Sequence, residues 1–226
     1  MKKHGFTLAE LLITILILGV VAVMAIPVFI QTQQDKEVVA KLNLAQSILS
    51  NATEMSELNN GKITDIELEK STAKDIYNEY YKKTLKLNKF CSEDSSGDCW
   101  TPTTDFSGKN PATDGNQFGI VGTVHTGFAL QDGMNVTMTK VQNIDDKFGI
   151  ETDDEYSIVF MVDVNGSKAP NAMGQDVFAF VLESNGRIVP AGEDNNSSNC
   201  NRGCDLDDDY WDCTAKVLKE EKRSYL

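Results

Sequence analysis

The amino-acid sequence predicts an α+β protein in which a long N-terminal helix, membrane-spanning in its first part, packs on a C-terminal antiparallel β-sheet. An uncharged apolar run fills residues 11–30, and apolar residues then recur every three or four positions to about residue 60. From Phe118 onward, short β-rich runs alternate with turn residues. An additional surface helix and disulfide loops complete the predicted fold.

Composition narrows the class of protein. Of 226 residues, 41% are hydrophobic and 24% charged, which excludes a disordered chain and a multi-span membrane protein. The net charge of −13 repels phosphate backbones, so no nucleic-acid partner is expected. The basic residues that cluster are Lys82, Lys83, Lys86 and Lys89. Five cysteines suit an exported, disulfide-bearing domain.

The first element is the apolar run from Leu11 to Ile30, which as a helix is about 30 Å long and spans one bilayer core. Lys2 and Lys3 precede the run, and no Lys or Arg follows until Lys36. The positive-inside rule therefore predicts a single-pass protein with a cytoplasmic N-terminus and an exported C-terminal head.

Three interpretations of this run are open. It is a plain single-span anchor, or a secretory signal with a small-residue cleavage site at Val23 and Ala25, or a helix retained for another purpose. Glu10 stands at the mouth of the run, where a carboxylate in lipid costs about 2.5 to 3.5 kcal/mol. The simplest explanation is a helix cap, because Thr7 and Glu10 have the spacing of a capping box.

The segment Lys2-Lys3-His4-Gly5-Phe6-Thr7-Leu8-Ala9-Glu10, followed by about twenty apolar residues, resembles the class III signal of type IV pilins and type II secretion pseudopilins. The resemblance implies a leader at residues 1–5, removed by prepilin peptidase between Gly5 and Phe6, and N-methylation of Phe6. It also implies that Glu10 pairs with the amino group of a neighbouring subunit's Phe6. The retained transmembrane and assembly helix would cover residues 6–30.

Pro27 lies where many proteins of this kind have a helix-kinking proline. Its missing N–H and its ring clash give the physical reason for a bend. The partners implied are copies of the chain or related pilins, prepilin peptidase, the inner-membrane assembly machinery and membrane lipid. The implied location is the bacterial inner membrane, followed by a periplasmic or cell-surface filament after assembly.

The helix is predicted to continue over residues 31–60 as an amphipathic segment and to stop at Gly61. Its whole length would be about 80 Å. The apolar positions that predict a face packed under the head are Val38, Leu42, Ala45, Leu49 and Ala52, with Val39, Ile48 and Met55 beside them.

The head, residues 61–226, begins with a predicted surface helix between Ile66 and Phe90 that covers the sheet. A polar loop between Cys91 and Cys99 predicts a local disulfide. An antiparallel sheet of about four strands is predicted after this loop. The candidate segments are Gly127–Gln131, Met134–Val141, Tyr156–Asp163, Val177–Glu183 and Arg187–Pro190.

The loop after the third of these segments contains the candidate cofactor site. Asp163, Asn165 and Asp176 supply oxygen atoms that suit calcium, although the helix–loop–helix calcium pattern is not met. The alternative is a turn in which Asn and Asp bond their own backbone. No cofactor is otherwise predicted.

Near the C-terminus, a second disulfide is predicted among Cys200, Cys204 and Cys213, with Cys204–Cys213 preferred and one thiol left over. No catalytic residues are predicted, because the chain has two histidines and no recognisable nucleophile, phosphate-binding or zinc motif. The resemblance to pilins and pseudopilins implies a structural filament subunit, and the lack of a catalytic motif predicts that the chain is not an enzyme. The alternative is a secreted or membrane-tethered module that binds a ligand in a calcium-dependent way.

Overall fold

A computed structural model describes residues 7–63, 66, 68–91, 99–100, 103, 125–142, 144, 148–152, 155–183, 185–194 and 211–224. The α+β architecture predicted from the sequence is confirmed.

The first element is α1, Leu8–Asn60, a helix of 53 residues and therefore about 80 Å long. Thr7 caps its N-terminus. At the other end, Gly61 has a φ of 89°, which favours glycine, and its backbone N–H donates to the carbonyl of Glu57. The predicted stop at Gly61 is confirmed.

The predicted packing face of α1 is confirmed at five positions, which are all buried: Val38, Leu42, Ala45, Leu49 and Ala52. Val39 and Ile48 are partly buried and pack beside them. The prediction is wrong for Met55, which is 55% exposed. The buried face continues instead through Thr53 and Ser56, so Met55 points away from the sheet.

The sheet is a six-stranded antiparallel meander in which every strand pairs with the next in the chain. Its strands are β1 Leu87–Cys91, β2 His125–Leu130, β3 Asn135–Gln142, β4 Tyr156–Asp163, β5 Val177–Leu182 and β6 Ile188–Pro190. All five predicted strand segments are found, and β1 was not predicted. The described sheet therefore has six strands, more than the predicted count of about four.

The helix predicted over residues 66–90 is much shorter than expected. The structure has α2, Ala73–Ile76, continued by a π-helical turn, Tyr77–Tyr81. Beyond it, Leu87 pairs with Leu130 as part of β1, so the sheet overrides the helical pattern there. Ala73 and Ile76 of α2 are buried, as are Tyr77, Tyr80 and Tyr81 of the π-helical turn, so both elements are part of the core.

Both faces of the sheet are covered. Ile158, Phe160 and Val162 of β4 pack in one cluster with α1 and α2. The alternate residues Val159 and Met161 pack in a second cluster that includes Trp100, Phe148 and Trp211. The side chains follow the period of two that a strand imposes.

A third helix, α3, Cys213–Glu220, contacts β5 where the short strand β6 has ended. The hydroxyl of Thr214 accepts a hydrogen bond of 3.1 Å from the backbone N–H of Ala179. The predicted Cys91–Cys99 disulfide is confirmed. Cys213 is also disulfide-bonded, while its candidate partners Cys200 and Cys204 lie outside the described residues.

Candidate assembly site

The N-terminus of α1 has the capping box that the spacing of Thr7 and Glu10 predicts. The backbone N–H and hydroxyl of Thr7 donate to Glu10 Oε2 at 2.8 and 2.9 Å, and the backbone N–H of Glu10 donates to Thr7 Oγ1 at 3.3 Å. A carboxylate here also suits the positive end of the helix dipole. The box fixes the Glu10 side chain at the tip of the helix.

The apolar part of α1 has no cover within the described part of the chain. Every residue from Thr7 to Gln34 is exposed. An 18-residue window of this helix reaches a mean hydropathy of 2.9, so the helix is long and apolar enough to cross a membrane. Such a surface requires lipid or another protein around it.

The polar groups within this segment are satisfied locally. The hydroxyl of Thr14 donates to the Leu11 carbonyl, and that of Thr32 donates to the Val28 carbonyl, both at 2.8 Å. Glu10 is the one charged residue between Thr7 and Gln34. The helix continues through Pro27, where a bend remains a prediction.

Where α1 enters the head, it is joined to the C-terminal segment by a buried ion pair. Arg223 Nε lies 2.7 Å from Asp35 Oδ1, and the two side chains are 10% and 11% exposed. Arg223 Nη1 also donates to the carbonyl of Gln175 at 2.9 Å. The sequence analysis missed this pair, because 188 positions separate its members and neither lies in a motif.

The structure brings together the three residues predicted to bind calcium. Asn165 Nδ2 donates to Asp176 Oδ2 at 2.8 Å, and the backbone N–H of Asn165 donates to Asp163 Oδ1 at 3.1 Å. Two backbone N–H groups, of Asn171 and Ala172, also donate to the Asp176 carboxylate. These bonds close the loop between β4 and β5.

Burial dominates the electrostatics of this loop. Desolvation, with the nearby Asp176 carboxylate adding to it, raises the pKa of Asp163 to about 8. Desolvation also raises the pKa of Asp176, against the hydrogen bonds from Ala172 and Asn171. Negative charge on these two carboxyl groups is therefore unfavourable in the folded protein.

The donor set falls short of a complete calcium site. Two carboxylates and one amide do not reach six oxygen ligands, and the described residues contain no group of three acidic, His or Cys side chains suited to a metal. Asn165 Oδ1 is buried without a hydrogen-bond partner among the described residues. Calcium stays a prediction: millimolar calcium should raise the melting temperature of the head, and Asp163→Ala should abolish that rise.

The predicted cleavage and methylation residues, Gly5 and Phe6, lie outside the described residues. The predicted pairing of Glu10 with a neighbour's amino group is an intermolecular contact, which a single chain does not test.

Comparison with known proteins adds one finding. Residues 1–26 match the prokaryotic N-terminal methylation motif. Neither the curated proteins nor the solved structures contain a significant match to the chain. The chain thus joins an α+β, pilin-like fold to an exposed apolar helix, and its N-terminus carries the prepilin-type cleavage and methylation signal of type IV pilins and pseudopilins.

Proposed function

We propose that the chain is a structural subunit of a type IV pilus-like or type II secretion pseudopilus filament. Prepilin peptidase removes residues 1–5 and methylates Phe6, and the subunit waits in the inner membrane until it polymerises through α1. Its role is structural and not catalytic. Its partners are copies of itself or related pilins, together with the assembly machinery.

The observation that carries the proposal is the division of α1. One continuous helix is exposed and apolar from Leu8 to Ile30 and is buried under the sheet from Val38 to Ala52. A secretory signal is removed after export. It therefore has no need to form one continuous helix with a segment of the core. Here the apolar segment is the N-terminal extension of the helix that organises the core.

Glu10 supports the same role on electrostatic grounds. After cleavage, the mature N-terminus is the amino group of Phe6, four positions before Glu10. An isolated carboxylate in lipid is costly, and an amino group from an adjacent subunit offsets that cost. The capping box holds the Glu10 carboxylate at the helix tip, where an adjacent N-terminus can reach it.

Mass spectrometry of the mature N-terminus tests the processing step. We expect a peptide that begins with N-methylated Phe6, because the signal places the cut before the apolar run. In a strain without prepilin peptidase, the full chain beginning at residue 1 should accumulate in the membrane.

A mature protein that begins at Ile26 would contradict the proposal. It would mean that α1 loses its apolar segment on export, and it would favour the secreted, calcium-dependent binding module.

A further inference from the structure

We propose that the head docks on the head of a second copy through two unlike charged corners of its sheet. The inference rests on the proposed filament function and names a second interface, separate from α1. One surface, the basic corner, consists of Lys82, Lys83, Lys86 and Lys89. The other, the acidic corner, consists of Glu151, Glu183, Glu193 and Asp194.

The basic corner lies at the β1 edge of the sheet. The eight residues from Lys82 to Lys89 contain four lysines and no acid, in a chain whose net charge is −13. All four lysines are exposed. Among the described residues, the acids on the neighbouring α2, π-helical turn and β2–β3 turn are Asp75, Glu79 and Asp132. Four lysines against three acids leave a small excess of positive charge among these residues.

The basic corner also includes a strand at the end of the sheet order. Among the described strands, only β2 pairs with β1. Phe90 is 42% exposed and stacks on Tyr77, with the two ring centroids 4.6 Å apart. An exposed aromatic ring surrounded by lysines is a composition that suits a protein contact.

The acidic corner lies at the β6 edge. Glu183 and Glu193 both bind Arg187, the basic residue among them, at 2.9 and 3.0 Å. Asp194 accepts a hydrogen bond of 3.1 Å from the backbone N–H of Glu151, which brings a fourth acid to this edge. Four acids around one arginine leave an excess of negative charge.

The two corners cannot meet within one chain. The β1 and β6 edges are separated by five strand spacings, or about 24 Å. The strand register also places Lys89 level with Val177, at one end of β5, whereas Glu183 follows the other end, about 17 Å farther along. The corners are therefore about 30 Å apart on the diagonal.

This diagonal arrangement fits a second copy as the partner. A helical filament needs a heterologous contact, in which one surface of a subunit meets a different surface of the next. Subunits with a net charge of −13 repel one another, and contact between a basic and an acidic corner offsets that repulsion. The diagonal offset would displace neighbouring heads along the strand direction, as a helical rise requires.

Zero-length carbodiimide cross-linking of the full-length protein, in membrane vesicles and in sheared fibres, tests the contact. A bond between the Lys86 amino group and the Glu193 or Glu151 carboxyl group would join two copies, because the two corners of one chain are about 30 Å apart by strand spacing and register. We expect such peptides by mass spectrometry, with a yield that falls when NaCl rises from about 0.05 M to about 0.5 M.

Charge reversal sharpens the test. Lys83→Glu with Lys86→Glu should lower the yield of cross-linked dimer and of fibres about tenfold. Adding Glu151→Lys and Glu193→Lys should restore most of the lost yield, because the two corners then again carry opposite charges. The matched control, Lys168→Glu with Lys222→Glu, makes the same change in net charge at two residues outside both corners and should have little effect.

Three results would overturn the inference. Cross-links that avoid both corners, or normal fibre yield from the basic-corner variant, would remove this contact and leave polymerisation through α1 intact. The third result is that the wild-type protein binds a short DNA duplex, the basic-corner variant does not, and no cross-link joins the two corners. The basic corner would then be a nucleic-acid-binding surface. If the proposed filament function is wrong, the wild-type protein forms no fibres. The cross-links formed in membrane vesicles then still test whether the two corners make contact.

Discussion

The two halves of α1 share one continuous helix but meet different surroundings. From Thr7 to Gln34 every residue is exposed, and the surface is apolar on all sides from Leu11 to Ile30. From Asp35 onward, one residue in three or four is buried under the sheet, and most of the remaining surface is polar. The second half obtains its stability from its own head, whereas the first half needs lipid or other subunits.

The energy involved explains why the first half cannot remain in water. Burial of a Leu, Ile or Val side chain is worth about 1.5 to 3 kcal/mol, and this half exposes many of them. The sum far exceeds the stability of an ordinary domain. In the proposed function, lipid covers this surface before assembly, and the helices of neighbouring subunits cover it in the filament.

The ion pair at the boundary between the halves should have the largest effect on the head. Arg223→Gln leaves Asp35 buried without its charge partner, so we expect the free energy of unfolding to fall by about 3 to 5 kcal/mol. Urea unfolding of the full-length protein measures this loss. As a control, Glu37→Gln breaks an exposed pair with Lys41 and should cost less than about 0.5 kcal/mol. Equal effects of the two substitutions would show that Asp35 and Arg223 are solvated.

Leucines in the two halves offer a direct comparison of core and assembly surface. Leu49 is fully buried, so Leu49→Ala should lower the free energy of unfolding by about 3 kcal/mol. Leu16 is 68% exposed in the first half, and Leu16→Ala should leave the melting temperature of the head unchanged. A head destabilised by Leu16→Ala would mean that the two halves do not act separately.

The pH dependence of stability tests the buried carboxyl group of Asp163. Burial raises the pKa of Asp163 from 3.8 to about 8, so between these values the folded state holds a proton that the unfolded state has lost. Stability should therefore fall as pH rises from about 4 to about 8. In chelator, the melting temperature of the protein should fall across this range, and Asp163→Asn should flatten the slope. A slope of the opposite sign would place the Asp163 carboxylate in a favourable charged environment.

The sequence predicted α1 well because its signals are local. The capping residues mark its start, Gly61 marks its stop, and the apolar spacing marks the buried face. Sequence patterns failed where distant contacts decide the structure. Leu87 becomes part of a strand because it pairs with Leu130, and Asp35 is buried because Arg223 reaches it from near the C-terminus. A prediction from local periodicity has no access to either partner.

The candidate assembly site follows the same division. The Thr7–Glu10 capping box follows from a spacing of three and is found as expected. The calcium candidates follow from residue type and from their position in the loop between two predicted strands. The structure brings them together, but it adds backbone donors from Asn171 and Ala172 that the sequence pattern did not indicate.

The most direct test of the central claim compares Glu10→Gln with Thr7→Ala in fibre yield. Thr7→Ala removes the capping hydroxyl but keeps the charge of Glu10, and should cost about 1 kcal/mol, or about fivefold in assembly. Glu10→Gln keeps part of the cap but removes the charge that is proposed to pair with the amino group of a neighbouring subunit's Phe6. If the two groups pair in lipid, the loss is about 3 to 5 kcal/mol, or more than a hundredfold.

Both variants should be cleaved, inserted and folded normally, so the yield of sheared fibres per membrane-bound subunit isolates the assembly step. The account predicts that Glu10→Gln scarcely assembles while Thr7→Ala assembles at a reduced but substantial level. Equal yields from the two variants would contradict it and leave Glu10 as a helix cap.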